Sequence, residues 1–74
     1  MKNEIVLIYT EFIKLEGALK LANCVSTGGE AKAVIQDGRV LVEGEVCLMR
    51  GKKLYDGSRF QYEGKTYTIS KYES

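Results

Sequence analysis

The stretch from Thr27 to Leu54 constrains this chain more than any other. It opens Thr27-Gly28-Gly29-Glu30-Ala31-Lys32, continues Gly38-Arg39-Val40-Leu41-Val42-Glu43-Gly44, and closes Arg50-Gly51-Lys52-Lys53-Leu54. Thr27 with Glu30 three residues on has the spacing of a helix-opening capping box. Ala31, Val34 and Ile35 then recur at helical spacing, which predicts a helix over 28–37 with one buried face. Gly38 stops it, as glycine does after a last turn. From Arg39 the apolar period changes to two: Val40 and Val42 point one way, Glu43-Gly44 makes a two-residue turn, and Val46 and Leu48 return on the partner strand.

The flanks extend the pattern. Leu15, Ala18, Leu19 and Ala22 form an apolar stripe, predicting a first helix over 14–23. Leu54 re-enters the core, and Asp56-Gly57 marks a turn. Arg59–Tyr62 and Thr66–Ser70 then read as a hairpin across Glu63-Gly64-Lys65, with Tyr62 and Tyr67 paired across it. The apolar run Ile5–Tyr9 reads as a buried strand. It is too short for a membrane span and lacks a signal-peptide cleavage site, so a cytoplasmic protein is expected. The expected class is α+β: two short helices packed on a small, mainly antiparallel sheet. At 74 residues, a single domain over 1–74 with short frayed ends is the expectation.

Composition removes most chemistry. Histidine is absent, so neither a Ser-His nor a Cys-His pair can be assembled. The carboxylates lie scattered on polar faces and suggest no acid–base dyad. Cys24 and Cys47 cannot make a zinc site between them and read as reduced, mostly buried thiols. No enzyme, cofactor or metal is expected.

Charge is more informative by segment than in total. The net charge is +1; residues 1–30 carry −1, residues 31–54 carry +2, and residues 55–74 are neutral. Arg50, Lys52 and Lys53 put three cations within four residues. That knot is either a solvated loop guarding a sheet edge or a phosphate contact shared with Lys32 and Arg39. The amides of Gly28 and Gly29 at a helix start also suit a phosphate, although Glu30 already places an anion there. Otherwise these glycines only shape the turn between helices. Tyr55 follows the basic loop and is placed to stack on an unpaired base. The other tyrosines, Tyr9, Tyr62, Tyr67 and Tyr72, read as core or sheet surface.

A family resemblance runs through the same residues. Lys14-Leu15-Glu16, Leu19-Lys20-Leu21, Ala31-Lys32 and Ile35-Gln36-Asp37-Gly38-Arg39-Val40-Leu41-Val42-Glu43-Gly44 resemble the S-four RNA-binding domain. That module is named after the fourth protein of the small ribosomal subunit. It also occurs in bacterial tyrosyl-tRNA synthetases, pseudouridine synthases and a ribosome-associated heat-shock protein. Thr27–Lys32 and Arg50–Leu54 are similar to the Ser-Gly-Gly-x-Ala-Lys and Arg-Gly-x-Lys-Leu motifs of a small free-standing bacterial subgroup. The likeness covers about residues 12–69, preceded by the N-terminal strand.

The resemblance implies a fold that grips structured RNA, with a basic residue opening helix one (Lys14) and another on helix two (Lys32). Two positions depart from it. Gly28 stands where many members carry arginine, and Glu43 stands where the turn asparagine is usual. Both imply weaker or differently oriented binding than in strongly basic members. The expected partner is structured RNA, ribosomal or transfer RNA, with a ribosomal particle as a second surface. A monomer with no membrane contact is expected. RNA contacts are expected from Lys14, Gly28, Gly29, Lys32, Arg39, Arg50, Lys52, Lys53 and Tyr55. The alternative is a protein-interaction module of the same fold, using a tyrosine-bearing sheet.

Overall fold

A computed structural model describes residues 2–72. The frayed ends expected at Met1, Glu73 and Ser74 lie outside the described residues. The element order is β1 (Lys2–Ile8), β2 (Phe12–Lys14), α1 (Leu15–Leu21), α2 (Gly28–Gln36), β3 (Val40–Val42), β4 (Glu45–Val46), β5 (Lys53–Tyr55), β6 (Arg59–Tyr62) and β7 (Lys65–Lys71). The main sheet has five strands in the order β1-β7-β6-β3-β4, and β2 pairs with β5 in a separate ribbon. Among the described residues only β1 and β7 run parallel. The chain is therefore α+β, with a mainly antiparallel sheet.

Local chemistry explains the helices. Thr27 caps α2, its Oγ1 accepting the Glu30 N–H at 3.1 Å. The Glu30 carboxylate reaches back to the Ser26 N–H at 2.8 Å, one residue before the cap. Gly38, at φ +74°, closes α2: its N–H donates to Ile35 and that of Arg39 to Val34, a paired closure that needs a left-handed residue. Asn23, at φ +62°, closes α1 in the same way through Lys20 and Leu19.

The core lies between the helices and one face of the sheet. Leu15, Ala18 and Leu19 of α1 and Ala31, Val34 and Ile35 of α2 meet Val40, Val42, Phe60, Tyr62, Tyr67 and Ile69. Phe60 is fully buried and stacks on Tyr67 with ring centroids 4.8 Å apart. Burying these side chains contributes about 1.5–3 kcal/mol for each large residue, the main support of so small a fold.

Several sequence expectations change. The β6–β7 turn is two residues, Glu63-Gly64, so Lys65 lies opposite Tyr62 and Tyr67 lies opposite Phe60. The expected Tyr62–Tyr67 pair is thus displaced by two residues along the ladder. β1 is an edge strand with one covered face: Val6 and Ile8 are buried, whereas Ile5 is 67% exposed. β4 ends at Val46, and Leu48 stands out of the sheet, exposed. Helix one starts one residue later than expected because Phe12–Lys14 are extended and pair with Lys53–Tyr55. Lys53 therefore belongs to a strand rather than to the basic loop. Cys24 and Cys47 are free thiols and half-buried. No helix among the described residues is long and apolar enough to cross a membrane.

Candidate nucleic-acid interface

The N-terminus of α1 organises the basic residues. Lys14 occupies its cap position but offers no side-chain cap hydrogen bond. The loop at 50–52 supplies the missing acceptors from its backbone: the Leu15 N–H donates to the Lys52 carbonyl (2.9 Å) and the Glu16 N–H to the Arg50 carbonyl (3.1 Å). Free amides at a helix start require such partners. The same bonds fix the basic loop against Lys14. The β2–β5 ladder adds a second tie, with Lys14 directly opposite Lys53.

Four of the sequence-predicted residues, Lys14, Arg50, Lys52 and Lys53, thus come together from distant parts of the chain. All four are exposed. None makes an ion pair among the described residues, and neither does Lys32. Lys53 lies over the Phe12 ring, its Nζ 4.9 Å from the centroid. Acids stand nearby: Glu16 shares the helix start, and Glu43 and Glu45 line a shallow groove with Lys52. The Glu43 carboxylate is partly engaged, its Oε2 accepting the Arg59 N–H at 2.9 Å.

The remaining predicted residues lie apart from this cluster. Arg39 follows α2 and turns to the β6–β7 hairpin, where its Nη2 meets Glu63 Oε2 at 3.0 Å and its guanidinium lies 5.7 Å from the Tyr62 centroid. Lys32 is exposed on α2, which packs on α1. Gly28 and Gly29 open α2 with their faces clear: an added Cβ at Gly28 would meet nothing within 4 Å, and at Gly29 only Thr27 Oγ1 at 3.9 Å. Neither glycine is demanded by packing.

Tyr55 is half exposed and sits opposite Phe12, with ring centroids 5.9 Å apart. The sequence reading passed over Phe12 because β2 is so short. A usable signal was present: Phe12 and Lys14 flank Ile13 as Lys53 and Tyr55 flank Leu54, the period of two that half-buried strands require. Tyr62 and Tyr67 are buried, so the outer sheet face is not the tyrosine-bearing surface the alternative reading expected.

Cys24 and Tyr67 share a polar hollow with Glu4, Glu63 and Lys65. Burial pushes the Cys24 thiol above its ordinary value, partly offset by its hydrogen bond with Tyr67. Burial, then the same hydrogen bond, also raises the Tyr67 phenol. Both are neutral near pH 7, which gives Cys24 little thiolate character.

A family model described as the S4 domain matches residues 6–70. A protein of Bacillus subtilis (strain 168) described as "Probable ribosome maturation protein RlbA" is 44% identical over 57 residues, covering 77% of this chain and 80% of that protein. The residues that build α1, α2, the glycine-closed turn and the sheet strands from β3 to β6 fall within the matched segment, with most of β7 and the end of β1, and this chain belongs to the S4 domain family.

Proposed function

We propose that this protein binds structured RNA, ribosomal or transfer RNA, through the cations gathered at the start of α1, and that it catalyses no reaction. The observation that carries this reading is the convergence of Lys14, Arg50, Lys52 and Lys53 without ion pairs among the described residues. Exposed cations held side by side repel one another, and a polyanion relieves that repulsion. Membership of a typically RNA-binding family and the ribosome maturation name of the Bacillus relative support the same partner class. A ribosomal particle in the cytoplasm is the natural setting.

Lys32 and the Gly28-Gly29 amides extend the contact along α2, and Arg39 contributes at its margin. With about five phosphates engaged, affinity falls with salt at a log–log slope of roughly −3.5 to −4.5. The near-neutral net charge of +1 limits long-range attraction, so shape and a second surface carry the rest of the affinity. Gel shifts of ribosomal RNA hairpins and transfer RNA across a salt series test this reading. Combining Lys32→Glu, Lys52→Glu and Lys53→Glu should abolish retention. Unchanged retention would refute the proposal.

One observation favours a second reading, a protein contact. The outer sheet face carries Gln61, Thr66 and Thr68 between exposed Ile5 and Val46. Binding there would be nearly independent of salt and indifferent to the triple charge reversal.

A further inference from the structure

We infer that the outer face of the β2–β5 ribbon is a platform for one unpaired nucleotide, with Phe12 and Tyr55 stacking its base while Lys14 and Lys53 hold its phosphate. This rests on the RNA reading and narrows it to RNA that presents an extruded base beside a folded stem.

The ribbon's register creates the platform. Ile13 lies opposite Leu54, which is buried, with Ile13 packed against the core. The pleat therefore turns Phe12, Lys14, Lys53 and Tyr55 to the other face together. The register sets the two aromatics opposite each other at one end and the two lysines opposite each other at the other. Two like charges directly across a ladder are unfavourable unless something neutralises them, and a phosphate between them would.

The aromatic end is equally suggestive. The Phe12 and Tyr55 rings are tilted by 51° at 5.9 Å, and Tyr55 is 50% exposed. The Lys53 ammonium over Phe12 links the cationic end to the aromatic one. The acids adjoining the aromatics in sequence are both engaged by Lys71: Glu11 pairs with its ammonium and Asp56 Oδ1 accepts its backbone N–H. A paired base cannot reach such a surface, whereas an extruded one can stack on it.

The test uses the full chain and two RNA hairpins that differ only by a single bulged 2-aminopurine. The bulged hairpin should bind roughly tenfold more tightly than the paired one, with quenching of the 2-aminopurine fluorescence. Tyr55→Ala should erase that preference and the quenching, so that the two hairpins bind alike; Tyr55→Phe should keep both. The Tyr55 backbone is held by its own N–H to Ser58 Oγ, so both variants retain the ribbon. Equal binding of the two hairpins with a normal salt slope would overturn the platform alone. Preference surviving in Tyr55→Ala would do the same. Retention of neither hairpin would bring down the RNA reading and the platform together.

Discussion

Two groups of cations in this molecule use the same residue types in opposite ways. At the hairpin end and along the β1–β7 edge, cations have acidic partners: Arg39 with Glu63, Lys65 with Glu4 and Lys71 with Glu11. At the α1 start, the backbones of Lys14, Arg50, Lys52 and Lys53 are tied together, and none of these cations makes an ion pair among the described residues. Exposed ion pairs contribute little to stability, typically about 0–1 kcal/mol, so the first arrangement mainly quiets a surface. The second leaves charge unbalanced, and imbalance is what an anionic partner can read. Local placement, rather than the net charge of +1, is therefore the relevant electrostatic quantity.

The most forceful way to break this comparison is charge reversal at both ends. Lys52→Glu with Lys53→Glu should weaken RNA binding by about 100-fold near 0.1 M salt and flatten the salt slope by roughly 1.5. Lys65→Glu should change affinity by less than about threefold. Similar losses from both would show that the clustered cations are not special. Gel shifts across a salt series decide.

The quiet end also carries the groups that set alkaline stability. Cys24 and Tyr67 are raised by burial. A raised folded-state value means the native state holds its proton more tightly, so stability is flat below the unfolded thiol value and falls as pH climbs past it. Urea midpoints should hold steady to about pH 8.5 and drop above it. Cys24→Ser should reduce the drop by removing one of the two groups. A midpoint constant through pH 10 would contradict the burial argument.

A smaller effect separates stability from function at the open end. Lys14→Glu replaces a like-charge pair across β2–β5 with an opposite-charge pair and puts an acid at the start of α1. Stability should rise by about 0.2–1 kcal/mol, or roughly 1–8 °C in Tm, while RNA binding weakens. A fall in Tm would mean the lysine pair is not under electrostatic strain. The smallest expected change sharpens Arg39's place between the two ends. Arg39→Gln should alter RNA affinity by about twofold at most, because Glu63 already engages its guanidinium; a loss comparable to that of Lys53→Gln would move Arg39 into the open cluster.

Much of the fold was legible because it is written in neighbours. The Thr27 cap, the Gly38 closure and the buried stripe of α2 depend on residues no more than about one or two turns apart, and all three stand where the pattern puts them. The hairpin turns were legible for the same reason, though the tight Glu63-Gly64 turn set Tyr67 opposite Phe60 rather than Tyr62. Of the candidate site, the basic loop with Lys53 was visible as composition and Lys14 through the family resemblance, whereas their pairing was not: Lys14 and Lys53 face each other through a ladder that a three-residue strand barely announces.

By itself, then, the order of residues determined where helices begin and end, where the period changes to two, and that histidine-based catalysis is excluded, since each is a matter of short-range sterics, hydrogen bonding or inventory. Only the tertiary structure decided that β1 lies parallel to β7, that Phe12–Lys14 joins Lys53–Tyr55, and which cations meet acids and which meet one another. Those outcomes follow from burying Ile13, Leu54, Val6 and Ile8 in one shared core. Apolar burial has no direction of its own, so the partners it brings together are fixed by the assembled shape rather than by any local spacing.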